Sequence, residues 1–172
     1  MPDWPAELHR ALNTHRVRQV GYVPDAGHTR LIELCHADRG MIALPLTSEE
    51  EGIGLAAGAW LGGERAALLM QSSGVGNCAN ALTLAANCGF PLLMLVTMRG
   101  EAGERNPWQV PMGRATPEAL RLAGVRTLRL KHAEETKATA DAAVKLAFEE
   151  QSAVALLISQ QLIGVKSFEE KQ

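Results

Sequence analysis

The chain has 172 residues and a formal charge of −2. That is enough length for one domain with a full core and too little charge for an electrostatic case for nucleic acid or an anionic membrane surface. Apolar residues make up 47% and charged residues 21%, the balance of a folded globular chain rather than a disordered one.

In chain order, Trp4 to Thr14 reads as an amphipathic helix, with Asp3 as its cap and Pro5 in the first turn. Arg18 to Val23 reads as a strand ended by Pro24, Gly27 to Ala37 as a helix, and Met41 to Leu46 as a short apolar strand. Ser48 to Leu61 is a helix rich in Gly and Ala, Ala66 to Gln71 a strand, QSSGVGN a polar glycine loop, and Asn77 to Cys88 a helix of small residues. Pro91 to Thr97 is the most apolar run and suits a central strand. Met98 to Arg114 reads as a long loop, after which Thr116 caps a helix with Pro117 at its first position. Val125 to Leu130 (strand), Glu134 to Gln151 (helix) and Ala153 to Ser159 (strand) complete the order, and the polar stretch at about 164–172 reads as a mobile tail.

Six strands alternating with helices, mostly as continuous apolar runs, imply an α/β domain of three α/β/α layers on a mainly parallel six-stranded sheet. One domain is expected over 1–172. The N-terminal MPDWPAELHRAL has no apolar signal-peptide core, and no stretch is long enough to span a bilayer. Cys35, Cys78 and Cys88 are odd in number, lie in apolar neighbourhoods and form no CxxC. Buried free thiols in a reducing, cytoplasmic setting are expected.

The helix from Ser48 carries Gly52, Gly54 and Gly58. Each interior glycine costs roughly 1 kcal/mol against alanine, so three need a tertiary reason. Almost no polar face follows the first turn, which predicts burial on every side and cover by another chain. The acids that open it, Glu49, Glu50 and Glu51, read as a capping box, with Ser48 at the cap and Glu51 at the third helical position. Glu49 also shares a stripe with Ile53, Ala56 and Trp60. It therefore points toward apolar packing, a setting suited to proton transfer.

These residues resemble a known family. The run from Glu49 to Gly58 is similar to the cofactor-activating helix of thiamine-diphosphate enzymes, and QSSGVGN followed by Asn80 resembles the glycine loop of their pyrimidine-binding domain. VPDA (Val23 to Ala26), MRGE (Met98 to Glu101) and PMGRATPEAL (Pro111 to Leu120) resemble a narrower group, the decarboxylases acting on sulfopyruvate and phosphonopyruvate. The chain has no GDG and no NN, the family's metal and diphosphate motif. It therefore resembles the pyrimidine-binding half alone, as in the alpha subunit of a split sulfopyruvate decarboxylase. NPWQVPMG, with Gln109, stands where the phosphonopyruvate type tends to carry a histidine.

The resemblance implies a thiamine-diphosphate-binding fold and the non-oxidative decarboxylation of a short anionic 2-oxoacid. Sulfopyruvate is the first reading; phosphonopyruvate and a non-catalytic cofactor-binding or regulatory domain are the alternatives. It implies Glu49 as the carboxyl that activates the cofactor, and Gln71, Ser72, Ser73, Gly74, Gly76 and Asn77 as the wall of the pyrimidine site. Asp25, His28, Arg99 and Gln109 are candidates for substrate contact, with Arg105 and Arg114 as further cations beside the long loop. No metal ligand is expected in this chain. Magnesium would be held through a diphosphate-binding, beta-type partner carrying GDG and NN, in an assembly that also pairs copies of this chain through the Gly/Ala helices.

Overall fold

The computed structural model describes residues 3–164. The expected polar tail lies, apart from Gly164, outside the described residues. The strands are β1 (Val17–Tyr22), β2 (Ile42–Pro45), β3 (Arg65–Gln71), β4 (Leu92–Thr97), β5 (Arg126–Leu130) and β6 (Ala153–Ile158). They form one sheet of order β2-β1-β3-β4-β6-β5 in which every pairing is parallel. The helices are α1 (Trp4–Thr14), α2 (Thr29–Ala37), α3 (Glu49–Leu61), α4 (Ser72–Asn77), α5 (Leu82–Cys88), α6 (Val110–Leu122), α7 (Thr136–Phe148) and α8 (Gln160–Ile163).

Strand alternation sorts the core into two layers. Ala67, Leu69, Leu93, Leu95, Val154 and Leu156 face α1, α2 and α7, through Leu8, Leu12, Leu31 and Val144. Their neighbours Leu68, Met70, Leu92, Met94, Ala155 and Leu157 face the other way, onto Ile53, Ala56, Val75, Leu82 and Leu120 of α3 to α6. β3, β4 and β6 are covered on both faces, which is why they read as unbroken apolar runs. The three-layer α/β/α expectation holds. Strand order reverses between β1 and β3, and ligands of open α/β sheets bind at the carboxyl ends of strands beside such a reversal.

Five local expectations need correction. QSSGVGN is not a loop. Val75 is 1% exposed and Ser72 Oγ accepts the Arg99 N–H at 3.0 Å, so burial at both positions winds the segment into α4. The helix expected over Asn77 to Cys88 is interrupted, with a turn separating α4 from α5. The helix expected at Thr116 begins at Val110, with Pro111 in its first turn, leaving Pro117 in its interior. Thr116 does not cap; its Oγ1 lies 2.7 Å from the Met112 carbonyl and 3.1 Å from that of Ser72, tying α6 to the α4 segment. Ser48 is the N-cap of α3 but makes no side-chain capping bond, and Glu51 reaches back to the Thr47 N–H at 2.8 Å instead. Cys35 and Cys78 are buried but Cys88 is exposed, and burial pushes both buried thiols up to about 12.

The three glycines of α3 divide. A Cβ on Gly52 would enter the Leu68 side chain, so this glycine lets the helix approach β3. Gly54 and Gly58 have nothing within 4 Å of that position, and Leu61 is 87% exposed. Within one chain α3 is thus covered on one side and open on the other.

Candidate functional site

Glu49 is the first residue of α3 and is buried. The helix start sets the carboxyl against α4, where Asn77 Nδ2 donates to Oε2 at 2.8 Å. Among the described residues, Oε1 has no hydrogen-bond donor. A Cβ on Gly74 would lie 2.5 Å from Glu49 Cδ and 2.6 Å from Cγ. The absent side chain at Gly74 is the space the carboxyl occupies. Glu49, Gly74 and Asn77 therefore form one unit, built from α3 and the turn after β3. Glu50 and Glu51 are exposed.

The remaining expected wall residues have distinct surroundings. Ser72 is fully buried and holds the Arg99 backbone. Ser73 is half-buried, and Gly76 is exposed with Met112 Sδ 3.3 Å from where its Cβ would stand. Gln71, at the carboxyl end of β3, has a buried Oε1 without a donor, and so does Gln109. Two buried acceptors without donors among the described residues are unusual in a folded chain and could take N–H groups of a ligand.

Asp25 caps the 3₁₀ turn Ala26–His28. Its Oδ2 accepts from the Gly27 N–H at 3.1 Å and the Thr97 hydroxyl at 2.7 Å. Asp25, Gly27, Thr97 and Arg99 line a narrow cleft over the ends of β1 and β4. His28, the other candidate for substrate contact on this turn, does not line the cleft. It is fully buried, with Nε2 at 3.2 and 3.0 Å from the Met70 and Leu95 carbonyls, and burial lowers its pKa. Nε2 is thus committed to the backbone beneath the strand ends.

The Arg99 guanidinium is already engaged. Its Nε and Nη2 both donate to Glu104 at 2.8 Å, and the Glu104 side chain is only 3% exposed. Arg99 holds the Glu104 carboxyl well below the usual carboxylate range, assisted by the Asn106 and Gly100 N–H groups and the Gln160 amide. Glu101 accepts from Ser159 Oγ and the Gln160 N–H, both at 2.9 Å, and pairs with Arg129. This network pins the loop after β4 to the end of β6. Glu104, Gln160 and Thr97 were missed in the sequence. Glu104 had a signal, five residues from Arg99 in a glycine-rich loop; Gln160 had none. Arg105 and Arg114 are exposed.

A family model described as "Thiamine pyrophosphate enzyme, N-terminal TPP binding domain" matches residues 6–120. The chain belongs to that family. It is 36% identical over 129 residues to the sulfopyruvate decarboxylase subunit alpha of Methanocaldococcus jannaschii, covering 74% of this chain and 76% of the relative. To the subunit of the same name from Methanococcus maripaludis it is 33% identical, over 88% of this chain and 91% of the relative. A phosphonopyruvate decarboxylase of Streptomyces viridochromogenes is 38% identical over 68% of this chain, which spans 30% of that longer protein. A solved 2-oxoglutarate:ferredoxin oxidoreductase from Magnetococcus marinus superposes with a TM-score of 0.72 at 13% identity, over 93% of this chain and 29% of that one, and shares the fold. The family's cofactor is thiamine diphosphate, and the residues fit its pyrimidine end. A buried carboxyl with one oxygen free of donors, a glycine cradle beneath it and an unpaired acceptor on Gln71 match a ring with an amino group and nitrogen acceptors.

Proposed function

We propose that this chain is the pyrimidine-binding subunit of a split thiamine-diphosphate-dependent decarboxylase acting on sulfopyruvate. The observation that carries the reading is the seating of Glu49, buried and oriented by Asn77 over Gly74. It stands in a chain collinear with alpha subunits of that name. When bound, the cofactor supplies the carbon nucleophile and electron sink that side chains lack.

This chain holds and moves a proton. Glu49 exchanges it at Oε1, the oxygen without a protein donor, while Asn77 fixes Oε2 so that the carboxyl cannot rotate away. Gly74 gives its side-chain space to the Glu49 carboxyl, Gly76 stands exposed on the same wall, and Gln71 accepts from an amino group. Ser72 holds the Arg99 backbone, and Ser73 lines the same wall. Asp25, fixed by Gly27 and Thr97, faces the cleft at the strand ends as the polar group nearest a substrate. Arg99 neutralises Glu104 and shapes the cleft, and Gln109 borders the same loop.

The diphosphate and magnesium fall to a beta-type partner carrying GDG and NN. The open side of α3, with Gly54, Gly58 and Leu61, suits cover by another subunit, either that partner or a second copy. The test is CO2 release from sulfopyruvate and phosphonopyruvate by the chain co-purified with its partner, thiamine diphosphate and magnesium, beside Glu49→Gln. Activity on sulfopyruvate that collapses in the variant is expected. Preference for phosphonopyruvate would overturn the substrate, and an equally active variant would overturn the role of Glu49.

A further inference from the structure

At the amino ends of β1 and β3, opposite the Glu49 site, an open crevice of about 560 Å³ is lined by Arg16, Arg18, Arg65, Glu64 and the end of α1. We propose that it binds a small polyphosphate-type oxyanion, a site separate from the decarboxylase centre.

Three observations carry this. First, none of the three arginines has a carboxylate partner among the described residues. The one acid in the lining, Glu64, is turned to the Gln19 amide at 2.5 Å. Second, two guanidinium groups are held in place without being used up. Arg18 Nη1 donates to the Gly40 carbonyl at 2.9 Å, and Gly40 leaves it room, since a Cβ there would stand 2.7 Å from Nη1. Arg65 Nη1 donates to the His15 carbonyl at 2.9 Å while its guanidinium lies over the Phe148 ring at 5.1 Å. Each spends one N–H on a carbonyl and keeps the rest of its five-donor fork. Third, Arg16 has φ 58°, the left-handed conformation that glycine or asparagine normally takes after a helix end. That conformation turns the chain at the end of α1 where Arg16 joins the crevice lining.

The bland account is that these arginines satisfy carbonyls at helix ends. It covers one donor each of Arg18 and Arg65 and leaves Arg16 unexplained. Field strength decides the sign. The carboxyl ends of α1 and α3 each contribute about half a negative charge, and Glu64 one more. Within the lining itself three guanidinium groups outweigh them, while Asp141 and Asp38 just outside it are engaged with His15 and His9. Forked donors on a fixed frame suit tetrahedral oxyanions, and two linked ones engage more of the three arginines than one.

The experiment is calorimetric titration of the full-length chain with pyrophosphate, and with phosphate alongside, at low salt. Pyrophosphate is expected to bind more tightly than phosphate. Arg16→Gly and Arg18→Lys are each expected to weaken it about tenfold, the loss of one charge-assisted bond. Arg16→Gly also relieves the backbone, so its melting temperature should not fall and lost binding cannot be laid to unfolding. Gln151→Gly is the control: Gln151 shares the left-handed conformation, with φ 49°, and is not part of the crevice lining, so this variant must bind as the wild type does. Glu49→Gln separates the two sites and is expected to leave pyrophosphate affinity unchanged. No binding of pyrophosphate, equal affinity in Arg16→Gly and Arg18→Lys, or loss in Glu49→Gln would each overturn the proposal.

Discussion

Gly74→Ala tests whether the shape beneath Glu49 matters to the chemistry. The new methyl would stand 2.5 Å from Glu49 Cδ and 2.6 Å from Cγ. Carbon atoms rest at about 3.5–4.0 Å, so the carboxyl must retreat by about 1 Å. That movement breaks or lengthens the 2.8 Å bond from Asn77, a loss of roughly 1.5 kcal/mol for a half-exposed bond to a carboxylate. Alanine in α4 returns up to about 1 kcal/mol of helix propensity. The net destabilisation is then about 0.5 kcal/mol, a melting shift of only about 2 °C for a domain of this size. A displacement of about 1 Å in a group that positions a reacting atom costs about 100-fold in rate, equivalent to roughly 2.7 kcal/mol. Activity should therefore fall far more than stability. The assay is CO2 release by the assembled enzyme, paired with thermal unfolding of the same preparation. Gly76→Ala is the contrast, because its methyl meets only the flexible Met112 side chain at 3.3 Å and should leave the rate within a few-fold. If Gly74→Ala retained more than half of wild-type turnover, the seating argument for Glu49 would fail.

Three further outcomes are expected. Gly54→Ala and Gly58→Ala each place a methyl in open space, so each should stabilise the isolated chain by roughly 1 kcal/mol while weakening its association with a partner in sedimentation; tighter association would count against a partner on that face. With a thiol reagent at pH 8, Cys88 should react at once, whereas Cys35 and Cys78, held at about 12 by burial, should react only on unfolding. Stability should fall on acidification in two stages. The folded pKa of His28 is lowered by burial from 6.5 and that of Glu104 is lowered by its pairing with Arg99. Each group therefore contributes stability above its ordinary pKa that is lost as pH falls below it. Denaturant midpoints measured against pH should drop first below about 6.5 and again below about 4.5, and Glu104→Gln should reduce the second stage while leaving the first.

What could be read from the chain follows from how local each signal is. The three central strands were legible because β3, β4 and β6 are buried on both faces, and such strands must be apolar throughout. Glu49 was legible for a similar reason: a lone acid on the stripe of Ile53 and Ala56 has no solvent to face. QSSGVGN was misread because glycine and serine favour loops, whereas here the segment is wound by tertiary contacts, with Val75 packed in the core and Ser72 bonded to a residue 27 positions away. The start of α6 failed in the same way. Pro117 marks a helix start by propensity, yet Gly113 lets the preceding turn close over the Arg99–Gly100 backbone, where a Cβ would stand 2.7 Å from the Arg99 carbonyl carbon. No local pattern announces that contact.

The same reasoning explains why Arg99 invited an anion-binding role that its surroundings do not favour. In sequence it is a cation in a glycine-rich loop, and its partner Glu104 is one acid among several. In the fold, Glu104 is nearly sealed from water and takes both forks of the guanidinium, while Asp25 adds a further carboxylate at the cleft. The formal balance of these described residues is therefore acidic, and among them a sulfonate entering the cleft would meet no free cation. Among the described residues of the cleft the anion has no match, and the partner subunit and the exposed Arg105 and Arg114 are two sources of positive charge that can be separated. Replacing Arg105 and Arg114 together by glutamine separates these sources. An unchanged KM for sulfopyruvate in the assembled enzyme would rule out these two arginines and favour the partner. A KM raised tenfold or more with turnover preserved would put it on this chain.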